Sequence, residues 1–487
     1  MRQPLHLQSP PGRTAPTLWS VSPPGWFKAF QDLPREHGPE PLQVEGTLPE
    51  DLQGTLYRVG PGLFSGFGKR YDHWFDGDGA VSAVRFGGGG AQGSVRIVET
   101  EHRVREQRAG RMLYLRYGTV IPGGPLLRLM NPPRNAASTS LFRWQDRLFA
   151  LYEPSRPTEL NPDTLGALGE TDLGGVVPQA FSAHPRPVPE RRATYNFGTR
   201  FGLGWMVLDL FELPDKGPAR RLTTLPLPAM SMVHDFIVTP RCLVFLVPPL
   251  RFNMLRMFRG EGSLGRNIEF DPSRGTEVIV VPIDAPDSPV RFTVDPFFQW
   301  HFANAFEERG EVVLDFVRYA DFGSNQLLEE FVSGQVKTEV SGQLYRLRIH
   351  PARRRMSAEQ LWDVPCEYPH MSSEVACQDG RYLYLCANSP NGLLGPQDLL
   401  AKRDHRTGRT QTVSPGPGQY PSEPIFVARR GATAEDDGYL LSLVYDSRRH
   451  ASHVAVFDAR HLDAGPLARV WFDQHIPFTV HGLWVPA

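Results

Sequence analysis

Four histidines stand in short apolar settings far apart in the chain. They are His184 in Ser182-Ala183-His184-Pro185, His234 in Val233-His234-Asp235-Phe236, His301 in Trp300-His301-Phe302-Ala303-Asn304, and His481 in Val480-His481-Gly482-Leu483-Trp484. None is followed by the nearby ligand that a zinc motif supplies. Taken singly, a histidine in a strand is more readily a satisfied core residue. Four neutral imidazoles converging on one point would instead make a metal centre with room for oxygen chemistry. Spacing alone leaves both readings open. Of the remaining histidines, His6, His37, His350, His405, His450, His453 and His461 lie in polar or terminal stretches and read as solvated. His73, His102, His370 and His475 are less easily dismissed.

Three glutamates bear on the choice: Glu153 in Phe149-Ala-Leu-Tyr-Glu-Pro, Glu367 in Pro365-Cys-Glu-Tyr-Pro, and Glu423 in Ser422-Glu-Pro-Ile-Phe-Val. Each interrupts an apolar or aromatic run, where a charge is costly unless paired. A metal-bound imidazole needs its second N–H held by a carboxylate or carbonyl, which fixes the tautomer and strengthens the donor. Buried glutamates would supply that. With Lys and Arg numbering 52, an arginine partner serves equally well for any one of them.

Bringing such scattered residues together is a demand on the fold. Gly and Pro number 46 each, and long helical patterns are scarce. Short apolar runs recur after Gly or Asp-Arg turns, as in Gly54-Thr-Leu-Tyr-Arg-Val, Asp146-Arg-Leu-Phe-Ala-Leu-Tyr, Arg241-Cys-Leu-Val-Phe-Leu-Val, Gly310-Glu-Val-Val-Leu-Asp-Phe-Val, Gly380-Arg-Tyr-Leu-Tyr-Leu and His453-Val-Ala-Val-Phe-Asp. Such runs are strand signals, and they predict an all-β chain. Similar signals return irregularly, roughly every forty to eighty residues, which suits propeller blades carrying insertions. In a propeller the inner strands of separate blades all face one axis, so distant residues can meet there.

The 487 residues carry a formal net charge of −1, which offers no case for nucleic acid. Cys242, Cys366, Cys377 and Cys386 lack close-pair spacing, so a reducing, cytoplasmic setting is the expectation. The first residues carry no apolar signal core, and prolines break them up. The expected organisation is a loosely ordered arm over residues 1–24, then one domain over 25–487. No apolar run is long enough to span a bilayer, so membrane contact would be peripheral. Two segments are candidates. One is residues 243–260, apolar with Arg251, Arg256 and Arg259 interleaved, which reads either as a covered loop or as a membrane-dipping surface. The other is Val120–Met130.

The motifs taken together resemble the carotenoid cleavage oxygenases, with the apocarotenoid-cleaving members nearest, from about Trp26 to Trp484. The matching pieces are Gly54-Thr-Leu-Tyr-Arg-Val-Gly-Pro-Gly-Leu, Phe75-Asp-Gly-Asp-Gly, Asp172-Leu-Gly-Gly, Ser182-Ala-His-Pro-Arg, Val233-His-Asp-Phe, His301-Phe-Ala-Asn-Ala-Phe-Glu-Glu, Glu423-Pro-Ile-Phe-Val, Ala434-Glu-Asp-Asp-Gly and His481-Gly-Leu-Trp, in that order. The resemblance implies a seven-bladed β-propeller with loops and short helices capping a substrate tunnel. It implies a non-haem iron(II) on the axis, held by His184, His234, His301 and His481. Glu153, Glu367 and Glu423 would hold His234, His301 and His481, and His184 would have no glutamate. Thr139 would crowd one open iron position. O₂ would be co-substrate, and one C=C bond of an apolar polyene would be cleaved to two carbonyl products, retinal-like aldehydes.

The chain departs from the family pattern at several points. Val59 stands where Asn is frequent, Ser138-Thr139-Ser140 replaces Asn-Thr-Asn, Trp300 precedes the third histidine in place of Phe, and Met232 and Val233 precede the second. Relatives that cleave stilbenes tend to carry Lys before the first glutamate; here Tyr152 stands there. An aromatic suits a polyene better than a phenolate, so an apocarotenoid substrate is preferred over a stilbene or phenylpropene. Tyr152, Met232 and Trp300 are candidate tunnel residues, with core packing as the alternative. A non-catalytic binding propeller and an isomerase are the remaining readings.

Overall fold

The structure is a computed structural model that describes residues 23–123, 131–202, 204–392 and 394–487. Seven antiparallel sheets form the blades of a β-propeller. From the innermost strand outward, blade 1 is His481–Pro486, Gly54–Leu63, Asp78–Gly87, Gly90–Ile97 and His37–Pro41. Blades 2, 3 and 4 begin at the axis with Ser140–Trp144, Arg186–Val188 and Ile237–Val238, and each continues outward through three further strands. Blades 5 and 6 do the same from Phe298–Glu308 and Cys366–His370. Blade 7 has a broken inner edge, Gln419–Pro421 and Ile425–Ala428, both paired with Gly438–Asp446.

The ring closes by exchange between the two ends of the chain. Gln43–Gly46 pairs with Pro466–Trp471 to finish blade 7, and His481–Pro486 pairs with Gly54–Leu63 to finish blade 1. Cores of Val, Ile, Leu and Phe fill the spaces between blades, as with Leu243, Phe245, Leu208 and Phe197 between blades 3 and 4. A strand packed on both faces needs apolar side chains at nearly every position, so several second strands read as continuous apolar runs. Cys242–Val247 is an example, buried throughout.

The predicted solvation of several histidines is overturned. His37 and His453 are buried, and the His405 side chain is 5% exposed. His453 lies within Ala451–Asp458, against Trp471 with ring centroids 4.2 Å apart. Its polar neighbour Ser452 is itself fully buried, since both lie in a strand enclosed by adjacent blades. The four cysteines are free thiols.

One cap element matters for the site. The helix Gly323–Ser333, inserted between two strands of blade 5, lies over the axis. Its Phe331 packs on Trp26 and Phe30 near the start of the described chain. A second insertion, in blade 4, carries the short helix Met254–Arg259 and is tied to the cap helix by Arg266–Glu329. The expected arm up to residue 22 and residues 124–130 of the second apolar candidate lie outside the described residues.

Candidate metal centre

The four histidines meet on the axis. Each stands in, or just before, the innermost strand of its blade: His184 before Arg186–Val188, His234 before Ile237–Val238, His301 within Phe298–Glu308, and His481 opening His481–Pro486. The remaining three blades bring Thr139, Glu367 and Glu423 to their own inner edges, so all seven contribute. Irregular backbone turns these residues inward. Pairing of Phe298–Glu308 with the next strand skips Trp300 and His301, a bulge that re-aims both side chains. Glu423 sits in the break of blade 7's inner edge. The pairing of Cys366–His370 also shifts after Glu367. There Tyr368 holds φ 55°, a conformation that costs a bulky residue about 1–3 kcal/mol and recurs at functional sites.

The ring nitrogens face one another. His184 Nε2 is 3.0 Å from His234 Nε2, which is 3.3 Å from His301 Nε2. Ligand atoms of His184, His301 and His481 lie within 4.8 Å of one another, as do those of Glu153, His184 and His234. Three rings are held from behind: His234 Nδ1 is 2.8 Å from Glu153, His301 Nδ1 2.6 Å from Glu367, and His481 Nδ1 2.9 Å from Glu423. His184 has no carboxylate partner among the described residues.

This arrangement fits a metal ion. A carboxylate behind Nδ1 accepts its proton, which leaves a lone pair on Nε2. Lone pairs 3.0 to 3.3 Å apart repel unless a cation stands between them. His481 Nε2 is buried with no hydrogen-bond partner, an orphaned atom that requires explanation. Two imidazole nitrogens each about 2.1 Å from a shared ion, at a right angle, would lie about 3 Å apart. Burial, then the three other rings, pushes the His184 imidazole well below the ordinary histidine range. Burial pushes Glu423 up, but His481 and Arg58 outweigh it and hold its carboxyl down at about 2. Burial likewise opposes the lowering of Glu153 and Glu367, and the facing imidazoles prevail.

Several supports went unnoticed in the sequence. Buried Arg58 donates to the Glu423 carboxylate at 3.0 Å and to Thr479 and Val480. Tyr319 hydroxyl and Tyr368 N–H both donate to Glu367, at 2.9 and 2.7 Å. The Tyr368 ring stacks on His301 with centroids 5.4 Å apart. Asp235, next to His234, pairs with Arg186 and accepts the Phe302 N–H at 3.0 Å. Only the adjacency of Arg186, Asp235 and Tyr368 to a histidine or glutamate of the cluster could have marked them.

Two cavities abut the cluster from opposite ends of the inner strands. The apolar one is lined by Trp74, Phe75, Trp300, Leu328, Phe331 and Val480, among others, with Thr139, Glu153, His234 and Glu367 in its wall. Trp300 therefore lines it. Its indole N–H donates to Ser324 of the cap helix at 2.8 Å, and its ring meets His234 edge-on. Tyr152 and Met232 are not among its lining residues. Tyr152 donates its hydroxyl to the Phe75 carbonyl at 3.3 Å, and Met232 packs in the core that includes Trp300. Thr139 Oγ1 lies 3.3 Å from Glu153. The second cavity touches His184, His301 and His481 from the far side.

A seven-bladed propeller with four axial imidazoles and an adjoining apolar cavity is an enzyme-like architecture, and comparison with known proteins gives it a family. The model for the retinal pigment epithelial membrane protein family matches residues 30–486. The chain is 34% identical to apocarotenoid-15,15'-oxygenase of Synechocystis sp., covering 98% of this chain and 99% of that protein. Resveratrol cleavage oxygenase 1 of Aspergillus fumigatus is 28% identical over 91% of this chain and 92% of that one. A crystal structure of cobalt-substituted Synechocystis ACO superposes with a TM-score of 0.86 at 33% identity, covering 95% and 98% of the two chains. The chain belongs to this family of carotenoid oxygenases.

Proposed function

We propose that the chain is a non-haem iron(II) dioxygenase that cleaves one C=C bond of an apocarotenoid polyene to two carbonyl products. The observation that carries this reading is the apolar cavity that reaches His234 and His301, two of four imidazoles that converge on one point. His184, His234, His301 and His481 would hold the iron, with Glu153, Glu367 and Glu423 fixing three of the rings. When bound, the iron would supply the activation of O₂. The remaining tasks fall to the chain. Trp74, Phe75, Leu328 and Phe331 bind an apolar substrate and exclude water. Trp300 joins the cap helix to His234, and Thr139 narrows the cavity beside the cluster. Besides the histidines, the titratable side chains facing this cavity are Glu153, Glu367, Tyr319, Tyr368 and the buried thiol Cys366; both glutamates already hold histidines and Tyr319 donates to Glu367. Accordingly no general base is assigned.

A stilbene substrate is the second reading, supported by the resveratrol-cleaving relative. Against it, the residue before Glu153 is Tyr152, whose hydroxyl is engaged by the Phe75 carbonyl. Peripheral membrane contact from a cytoplasmic location is part of the proposal. Leu255 and Phe258 are 60% and 52% exposed on the helix Met254–Arg259, beside the cap. No described helix is long and apolar enough to cross a membrane. The deciding experiment is metal analysis together with mass spectrometry of products from a panel of apocarotenals and hydroxystilbenes. Two carbonyl fragments from an apocarotenal, with one iron per chain, are expected. Cleavage of stilbenes alone would transfer the assignment to the second reading.

A further inference from the structure

The cavity on the far side of the cluster has no part in the reaction proposed above, yet it reaches three of the four imidazoles. Its wall includes His184, His301, His481 and Glu423, then Arg186, Asn304, His370, Ser372, Ser373 and Cys377. Following one inner strand shows how the two cavities relate. Trp300 lines the apolar cavity, His301 lines both, and Phe302 to Asn304 line only the far one. In blade 6, residues 365–367 line the apolar cavity, Tyr368 lines both, and residues 369–373 line only the far one. The cluster is thus a partition between two compartments.

A metal ion reaching the cluster through one or the other meets a different wall. The apolar side presents Trp74, Phe75, Leu327, Leu328 and Phe331 beneath the cap helix, and of its polar groups Ser324 is bonded to Trp300, Asn388 to the carbonyls of Gly392 and Gly395, and Glu153 and Glu367 to histidines. Stripping water from a dication against such a wall is prohibitive unless protein donors replace the water. The far side presents replacements. The His370 ring makes no hydrogen bond to any described residue and stands three residues beyond Glu367 on the same strand. Cys377 is partly exposed, and the Ser373 hydroxyl is at the rim. The charges on this wall are already balanced, Arg186 by Asp235 and Glu423 by Arg58. An incoming cation therefore meets neither a bare positive charge nor a carboxylate able to trap it.

We propose that this axial cavity is the route by which the metal ion reaches the four histidines, with His370 as a transit ligand on its wall. Substrate and metal then approach the cluster from opposite faces. The inference rests on the four-histidine reading of the metal centre.

Cobalt(II) uptake by the metal-free full-length chain tests it, followed by the visible absorption of the bound ion and by metal analysis. Ala376→Trp and Ser373→Trp plug the rim at positions that are partly or fully exposed, so folding tolerates them; near-UV circular dichroism checks this. His370→Leu removes the imidazole without filling the space. Leu328→Trp obstructs the apolar cavity as the control. The expected result is uptake about tenfold slower in the two rim plugs and slower in His370→Leu, with final stoichiometry unchanged and Leu328→Trp like wild type. Uptake at the wild-type rate in both rim plugs, or slowing by Leu328→Trp alone, would overturn the route while leaving the metal centre intact. A wild-type chain that takes up no cobalt would overturn the metal centre itself, and the route with it.

Discussion

Arg186, partly exposed, and Asp235, fully buried, form an ion pair that joins the strands of three clustered histidines. Arg186 lies two residues after His184, and Asp235 directly follows His234. Asp235 accepts the N–H of Phe302, the neighbour of His301, while Arg186 donates to the carbonyls of Phe236 and Phe302, both at 3.1 Å. Asp235→Ala leaves the partly exposed Arg186 unpaired and the Phe302 N–H without its acceptor, and is expected to cost about 1–3 kcal/mol of stability by chemical denaturation, with metal content falling in parallel. Wild-type metal content in that variant would show that the pair does not position the rings.

Glu367 accepts from three donors: His301 Nδ1–H, Tyr319 hydroxyl and Tyr368 N–H. A glutamine there keeps its oxygen for His301 and Tyr368 and turns its amide NH₂ toward Tyr319, whose hydroxyl can rotate to accept. At Glu153 a glutamine likewise keeps its oxygen for His234 and turns its NH₂ toward the Thr139 hydroxyl. In both variants the neutral amide removes the charge that strengthens the ring as a donor, so Glu367→Gln and Glu153→Gln are each expected to lose about 10–100-fold in cobalt affinity. Competitive chelator titration measures both, and wild-type affinity in either would refute that carboxylate's role.

Gly482 follows His481, and a Cβ there would stand 2.6 Å from Arg58 Cδ and 2.9 Å from the Tyr57 carbonyl. Gly482→Ala should displace Arg58 from Glu423 and loosen the His481 ring. A stability loss of about 1–3 kcal/mol is expected, with weaker metal binding. Unchanged thermal unfolding would show that the strand absorbs the methyl.

Leu255→Ser combined with Phe258→Ser should weaken sedimentation with liposomes and leave metal content untouched. The interleaved arginines are partly neutralised, Arg251 by Glu269 at 2.7 Å and Arg256 by Glu261 at 3.8 Å, so the apolar pair is the main anchor. Liposome binding equal to wild type would exclude this helix as the contact.

Acid stability offers a test remote from the metal. Burial pushes the Asp315 carboxyl up, but Arg346, bonded at 2.7 and 2.8 Å, and His405 outweigh it and hold it below the ordinary 3.8. A carboxyl depressed in the folded state stabilises fully above its unfolded pKa, and that contribution fades as pH falls through the lower folded value. Thermal unfolding of the wild type should therefore drop steeply below about pH 4. Asp315→Asn should start lower at neutral pH and show a shallower acid decline; parallel curves would remove Asp315 as a cause.

What could be read in advance divides by position within each blade. Gly54–Val59, Arg241–Val247 and Gly380–Leu385 became second strands, enclosed on both faces, so their composition announces them. The innermost strands are short, bulged or broken, as around His301 and Glu423, and carry polar residues toward the axis. No periodicity reveals such strands, and the histidines stood out only through their apolar neighbours. Tyr152, Met232 and Trp300 are all marked only by adjacency to the cluster; Trp300 reaches the cavity because the bulge at Trp300 and His301 re-aims both side chains, an irregularity that adjacency does not reveal. Arg58 was equally hidden, because nothing local to it shows that Glu423 will lie across the ring.

The exchange that closes the propeller also sets a schedule. His481 opens the strand that completes blade 1, so the fourth imidazole arrives with the segment that locks the ring. A nascent chain still lacking the residues after Trp471 has neither a closed circle nor a complete cluster. On the proposed four-histidine reading, capture of an ion by the full set would wait until synthesis has passed every blade, and a loaded site would mark a circle that has shut.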